Sequence, residues 1–203
     1  MIEEKIEAAF DAYDQGDDKE AYRLFDEMKN ELTPGTEDYV TYQHALGYLY
    51  ITEQKFDTAR AHYLEMLAAA TAEEKPAILH QLGTVEQLDS EFEQSADYFQ
   101  QEERLLDAHD VESLAANYYA QGYTKMLSGD YEGALLILTK ARDHAQDEIS
   151  QAYAERALGE LYAAQSQPVE AKDYFSQAKK HFRVAGDEVG AAEIEMLESI
   201  IFE

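Results

Sequence analysis

Residues 44–66 read HALGYLYITEQKFDTARAHYLEM, and this stretch decides the fold. Its first half carries Leu46, Leu49 and Tyr50 at helical spacing. Glu53-Gln54-Lys55 then interrupts the apolar run, and a second amphipathic stretch sets Phe56, Ala59, Tyr63 and Met66 on one face. The pattern predicts two antiparallel helices joined by a short turn. Gly47 and Ala59 are small enough for the two backbones to approach closely, and Tyr63 fills the space beside them, as a nearly void-free interior requires.

The same arrangement recurs. Gly47, Gly83, Gly122 and Gly159 follow one another at intervals of 36, 39 and 37 residues. Twelve residues after each stands Ala59, Ser95, Ala134 or Ala171, and four further on Tyr63, Phe99, Leu138 or Phe175. Self-similarity at this period predicts stacked structural repeats. The copies resemble the tetratricopeptide repeat (TPR). The residues that carry the likeness are Leu46-Gly47, Leu82-Gly83, Gly122 and Leu158-Gly159 in the first helix of each pair. Gly129-Asp130-Tyr131 stands at a turn, and Ala141 and Ala178 stand late in second helices. A fainter first copy has Ala9, Gly16-Asp17, Ala21 and Phe25. Departures are visible too. Lys5, Gln43, Leu79, Tyr118 and Glu155 stand where the motif has Trp, and Glu102 where a small residue is usual. The resemblance implies an all-α, right-handed solenoid of eleven helices. Its repeats are expected at about 2–33, 38–71, 74–107, 112–146 and 148–185, in one array over 1–186, with a capping helix over 187–203.

Punctuation and composition agree with that reading. Pro34-Gly35 falls between two repeats, Pro76 at the start of the third, and Pro168 where a first helical turn tolerates its fixed φ. No segment alternates strictly between apolar and polar residues, so no strand is expected. The chain has no cysteine, which excludes disulfides and Cys-based metal sites. No apolar run approaches the ~18 residues of a membrane span. The N-terminus lacks the pattern of a signal peptide, so a cytoplasmic location is expected. The net charge is −27, which repels phosphate backbones and anionic lipid and argues against nucleic-acid and membrane partners.

Catalytic chemistry finds no foothold. The six histidines form no His-Glu-x-x-His pair, and neither a phosphate loop nor a Gly-x-Ser-x-Gly elbow occurs. Adjacent carboxylates such as Glu3-Glu4 and Glu102-Glu103 do not face each other on a helix, and they are expected to be solvated. No catalytic residue, metal ligand or cofactor site is assigned. The TPR likeness implies instead a concave groove lined by the first helix of each pair. Counted from the glycine anchors, the lining residues are Tyr13, His44, Tyr48, His80, Thr84, Tyr119, Tyr123 and Arg156. Aromatic faces with polar tips suit an extended peptide or protein segment, cationic or carrying a free carboxylate that Arg156 would take as a bidentate ligand. His44, Tyr48, His80 and Thr84 stand where the clamps for acidic C-terminal tails use Lys and Asn, so that specificity is not expected. The same tyrosines and histidines also suit packing between repeats. The expected role is a protein- or peptide-binding module. One alternative is an intracellular sensor of a short signalling peptide, which would act through a partner protein. Another is an oligomerisation or assembly factor using its convex face and its last helix. In the last helix Ile194, Leu197, Ile201 and Phe202 are expected either to cap the array or to carry a homodimer contact.

Overall fold

The computed structural model describes residues 1–202, and every regular element among them is helical. The chain divides into two compact units, Met1–Ala70 and Thr71–Glu203.

The first unit holds α1 (Ile2–Asp14), α2 (Asp18–Glu31), α3 (Glu37–Thr52) and α4 (Phe56–Ala69). Its core gathers Ala9, Phe25, Met28, Tyr42 and Leu49, with Phe10 and Tyr13 packed at its margin. The second unit holds α5 (Lys75–Leu88), α6 (Phe92–Glu103), α7 (Val111–Leu127), α8 (Tyr131–His144), α9 (Glu148–Ala164), α10 (Pro168–Val184) and α11 (Glu188–Phe202). Its core runs in patches from Leu138, Leu158 and Leu161 to Phe175, Phe182 and Ile194.

The glycine anchors explain the pairing. Each lies mid-helix and faces the residue sixteen positions on. A Cβ placed on Gly47 would lie 2.4 Å from the Tyr63 ring, on Gly83 2.6 Å from Phe99, on Gly122 2.7 Å from Leu138, and on Gly159 2.6 Å from Phe175. Only a residue without a side chain permits that approach. The turns obey a second local rule. Within each pair the chain reverses through one residue with positive φ: Gly16, Gln54, Ser90, Gly129 and Ser166. At Gly129 the amide donates to the Met126 carbonyl and the next amide, of Asp130, reaches back to Lys125, which satisfies the carbonyls that end α7. Asp130 then caps α8 by accepting from the Gly133 amide at 3.0 Å.

One expectation changes here. Glu102 is not solvated: it is 5% exposed and held between helices. In α11 the outward residues are Val189, Ala192, Met196 and Ile200, while Ile194 is buried and Leu197 and Phe202 are half-buried. Phe202 packs against Phe175 with ring centroids 6.3 Å apart, and the Lys172 ammonium lies 4.7 Å over its ring. These residues cap α10, and Ile201, though 39% exposed, lies on the same side of the helix.

Candidate functional site

In the second unit the first helices of the pairs bring His80, Tyr119 and Tyr153 around a cavity of about 290 Å³. Ala115 and Ala116 of α7, Ala141 of α8 and Ser150 and Ala154 of α9 complete its lining. The alanines leave the space, and the aromatic rings bound it. Tyr119 stacks on Tyr123, with centroids 5.7 Å apart and planes at 19°. Tyr153 meets Tyr119 at 6.3 Å and stands edge-on to Phe182 at 5.1 Å and 90°. Such offset and edge contacts hold the rings in place. Burial pushes the Tyr119 hydroxyl up from its ordinary value, and Tyr123 is pushed up to about 12 by burial and by the Glu160 carboxylate.

A polar ladder continues from these rings. The Tyr123 hydroxyl donates to Glu160 at 3.1 Å. Arg156 donates through Nε to Glu160 at 3.0 Å and through a terminal nitrogen to Glu193 of α11 at 2.8 Å. Its Nε and one terminal nitrogen are thus engaged by carboxylates of this chain.

His80 is tied from behind. Its Nδ1 lies 3.0 and 3.1 Å from the two Glu102 oxygens, and Asn117 Nδ2 donates to Glu102 at 2.9 Å and to the Phe99 carbonyl at 2.8 Å. Gln121 then joins Asn117 to Glu103. Thr84 uses its hydroxyl on the His80 carbonyl one turn back at 3.0 Å. It does not line the cavity.

In the first unit the expected residues make local aromatic contacts. Tyr48 is exposed and meets Phe10 edge-on at 5.7 Å, while Tyr13 is half-buried against the core. The His44 ring lies 6.2 Å from Tyr63, whose hydroxyl donates to the His44 carbonyl at 3.3 Å. No three His, Cys, Asp or Glu side chains among the described residues converge as metal ligands. Among them, too, no helix is long and apolar enough to cross a membrane.

Counting from the glycines found His80 and Tyr119 but missed Tyr153, Ala116 and Ser150. The count started three residues before each glycine, whereas Ala116 and Tyr153 stand six before Gly122 and Gly159. The lining therefore begins one helical turn earlier. The readable signal was the small residue at 116 facing an aromatic at 153 in the same register.

No protein-family model matches the chain, and no curated protein matches its sequence. Solved structures do resemble it in fold. The kinesin light chain TPR-like repeats of Podosopora anserina superpose with a TM-score of 0.67 at 16% identity, covering 91% of this chain and 96% of that one. The pilF protein of Pseudomonas aeruginosa gives a TM-score of 0.64 at 14% identity, covering 99% and 91%. YrrB, described as a TPR protein with an unusual peptide-binding site, gives 0.54 at 18% identity, covering 95% and 90%. The chain has the all-α, TPR-like helical fold.

Proposed function

We propose that this chain is a non-catalytic protein-recognition module that seats a bulky apolar side chain of a partner's extended segment in the Tyr119–Tyr153 cavity. The observation that carries the reading is the cavity itself: about 290 Å³, floored by alanines and walled by rings. A space of that size accepts one large side chain, and rigid aromatic walls supply contact area at low entropic cost. Electrostatics sets the flanks of the segment. The net charge is −27 and Arg156 is already engaged by Glu160 and Glu193, so the groove favours lysine or arginine beside the anchor over a free carboxylate. The fold supports this reading, because helical repeat arrays present extended binding surfaces.

A displayed random-peptide library selected on the chain tests it. Sequences pairing an aromatic or large aliphatic residue with Lys or Arg are expected to be enriched. The exposed Ala116 replaced by Phe would fill the cavity without removing a packed ring, and should weaken a selected synthetic peptide at least tenfold at an unchanged melting temperature. Enrichment of acidic peptides, or affinity indifferent to Ala116→Phe, would overturn the assignment.

A further inference from the structure

The last helix has two unlike faces. Toward α10 it buries Gly190, Ala191 and Ile194, and Glu195 and Glu198 reach Arg183 at 2.6 Å and Lys179 at 2.5 Å. On the opposite side Val189, Met196 and Ile200 are 71%, 61% and 70% exposed, with Ala192 exposed between them. Their spacing of three, four and four residues makes one apolar stripe about 16 Å long.

The repeat register says what such a stripe is for. Val189, Ala192, Met196 and Ile200 each lie 37 residues beyond Ala152, Glu155, Gly159 and Ala163. The interval is structural as well as numerical, since Arg156 of α9 pairs with Glu193 of α11 at that same separation of 37. In α9 this is the face that receives the second helix of its pair. Ala152 and Ala163 share a core with Phe175 of α10, and Gly159 abuts the Phe175 ring. Among the described residues no helix lies on the corresponding face of α11, and a repeat's helix does not bury its apolar face alone.

We propose that the outward face of α11 binds one amphipathic helix of a partner protein, with lysine or arginine along its flanks and a small residue opposite Met196. Packing demands the small residue. In α9 glycine is the hole and Phe175 the knob; in α11 Met196 is the knob, so the incoming helix supplies the hole. Charge demands the flanks. Glu188 and Glu195 border the stripe on one side and Glu193 on the other, and no lysine or arginine occurs after Arg183; Glu193 and Glu195 already meet Arg156 and Arg183, so the basic flanks answer Glu188 and the net charge of −27. A second copy of the chain would set glutamate against glutamate and −27 against −27, which disfavours self-pairing. The stripe also matches one helix in extent, and falls short of the roughly 20–30 residues a side of a stable protein pair.

Two synthetic helix-forming peptides test this. Both carry the same leucine stripe with a central alanine, and one has lysine and the other glutamate on its flanks. With the full chain and fluorescence anisotropy, the lysine peptide is expected to bind at least tenfold tighter than the glutamate peptide. Met196→Glu and Ile200→Glu, at exposed positions, should each weaken it at least tenfold with an unchanged helical spectrum. Ala116→Phe, in the cavity proposed above, should leave it unaltered, which separates this surface from that one. Absence of binding by the lysine peptide, equal binding of both peptides, or insensitivity to Met196→Glu would overturn the proposal. So would sedimentation showing a homodimer that Met196→Glu dissolves, which would make a second copy the occupant.

Discussion

The α5–α6 and α9–α10 hairpins share one backbone frame and differ in how they bury charge. In both, a glycine of the first helix abuts a phenylalanine ring of the second, and a Cβ on Gly83 or Gly159 would lie 2.6 Å from that ring. Both also bury a glutamate against a histidine, with the helices exchanged. In the first hairpin His80 comes from α5 and Glu102 from α6; in the other Glu155 comes from α9 and His181 from α10. The outcomes diverge. Glu102 has both oxygens engaged by His80 and a further donor in Asn117 of α7. Glu155 is 3% exposed, its Oε1 lies 3.5 Å from His181 Nε2, and its Oε2 accepts no hydrogen bond among the described residues. Burial therefore raises the Glu155 pKa, against the opposing pull of His181 and Arg142, while Glu148 adds to the rise. A repeat frame accommodates either arrangement, and a donor from a third helix decides whether a buried carboxylate is stabilising or costly.

Breaking the well-partnered side should give the largest effect. Glu102→Ala leaves Asn117 and His80 without their shared acceptor and should cost about 2–4 kcal/mol in denaturant unfolding. A cost below ~1 kcal/mol would show that the network contributes little.

The shared frame comes next. Gly83→Ala and Gly159→Ala each drive a methyl into a phenylalanine ring, and each should lose about 1–3 kcal/mol. Because the two crossings have the same clearance, their losses should agree closely. A large disparity in melting temperature would mean that the hairpins are not equivalent.

Glu155→Gln should act in the opposite direction and more weakly. The raised pKa means that the folded state holds the Glu155 proton more tightly than the unfolded chain, whose carboxylate titrates near 4.5. Stability from this group is then fully present below pH 4.5 and is lost as pH rises through the folded value. Glu155→Gln should accordingly match the parent below pH 4.5 and be more stable by about 1 kcal/mol at pH 7. Chemical denaturation across that range reads the difference, and a destabilised Gln variant at pH 7 would reverse the account.

The smallest effect belongs to exposed charge. Arg183→Gln removes a pair whose members are 51% and 54% exposed, and should shift stability by less than ~0.5 kcal/mol. A larger loss would show that ion pairing alone, without burial, sets the scale of the comparison.

Local residue types made the helices, their pairing and the turns legible before any coordinates. Small-plus-aromatic spacing marked each crossing, and Gly16-Asp17 and Gly129-Asp130 marked two reversals. At Gln54 the break in the apolar run marked the turn, whereas the reversals at Ser90 and Ser166 were harder to see, because a non-glycine residue with positive φ carries no distinctive letter. Of the candidate site, His80 and Tyr119 were within reach of a count from the glycines. Tyr153 lay one turn outside it, and the occupation of Arg156 by Glu160 and Glu193 lay beyond any count.

The sequence by itself determined that this protein is a series of helical hairpins, because period, small residues and turn chemistry act between residues close along the chain. Only the tertiary structure decided that Glu102 is buried and satisfied, that Glu155 is buried with an orphaned oxygen, and that the outward stripe of α11 is Val189–Ile200. Those properties depend on which side chain a neighbouring helix presents across a few ångströms, and that distance is not written in the spacing of either helix alone.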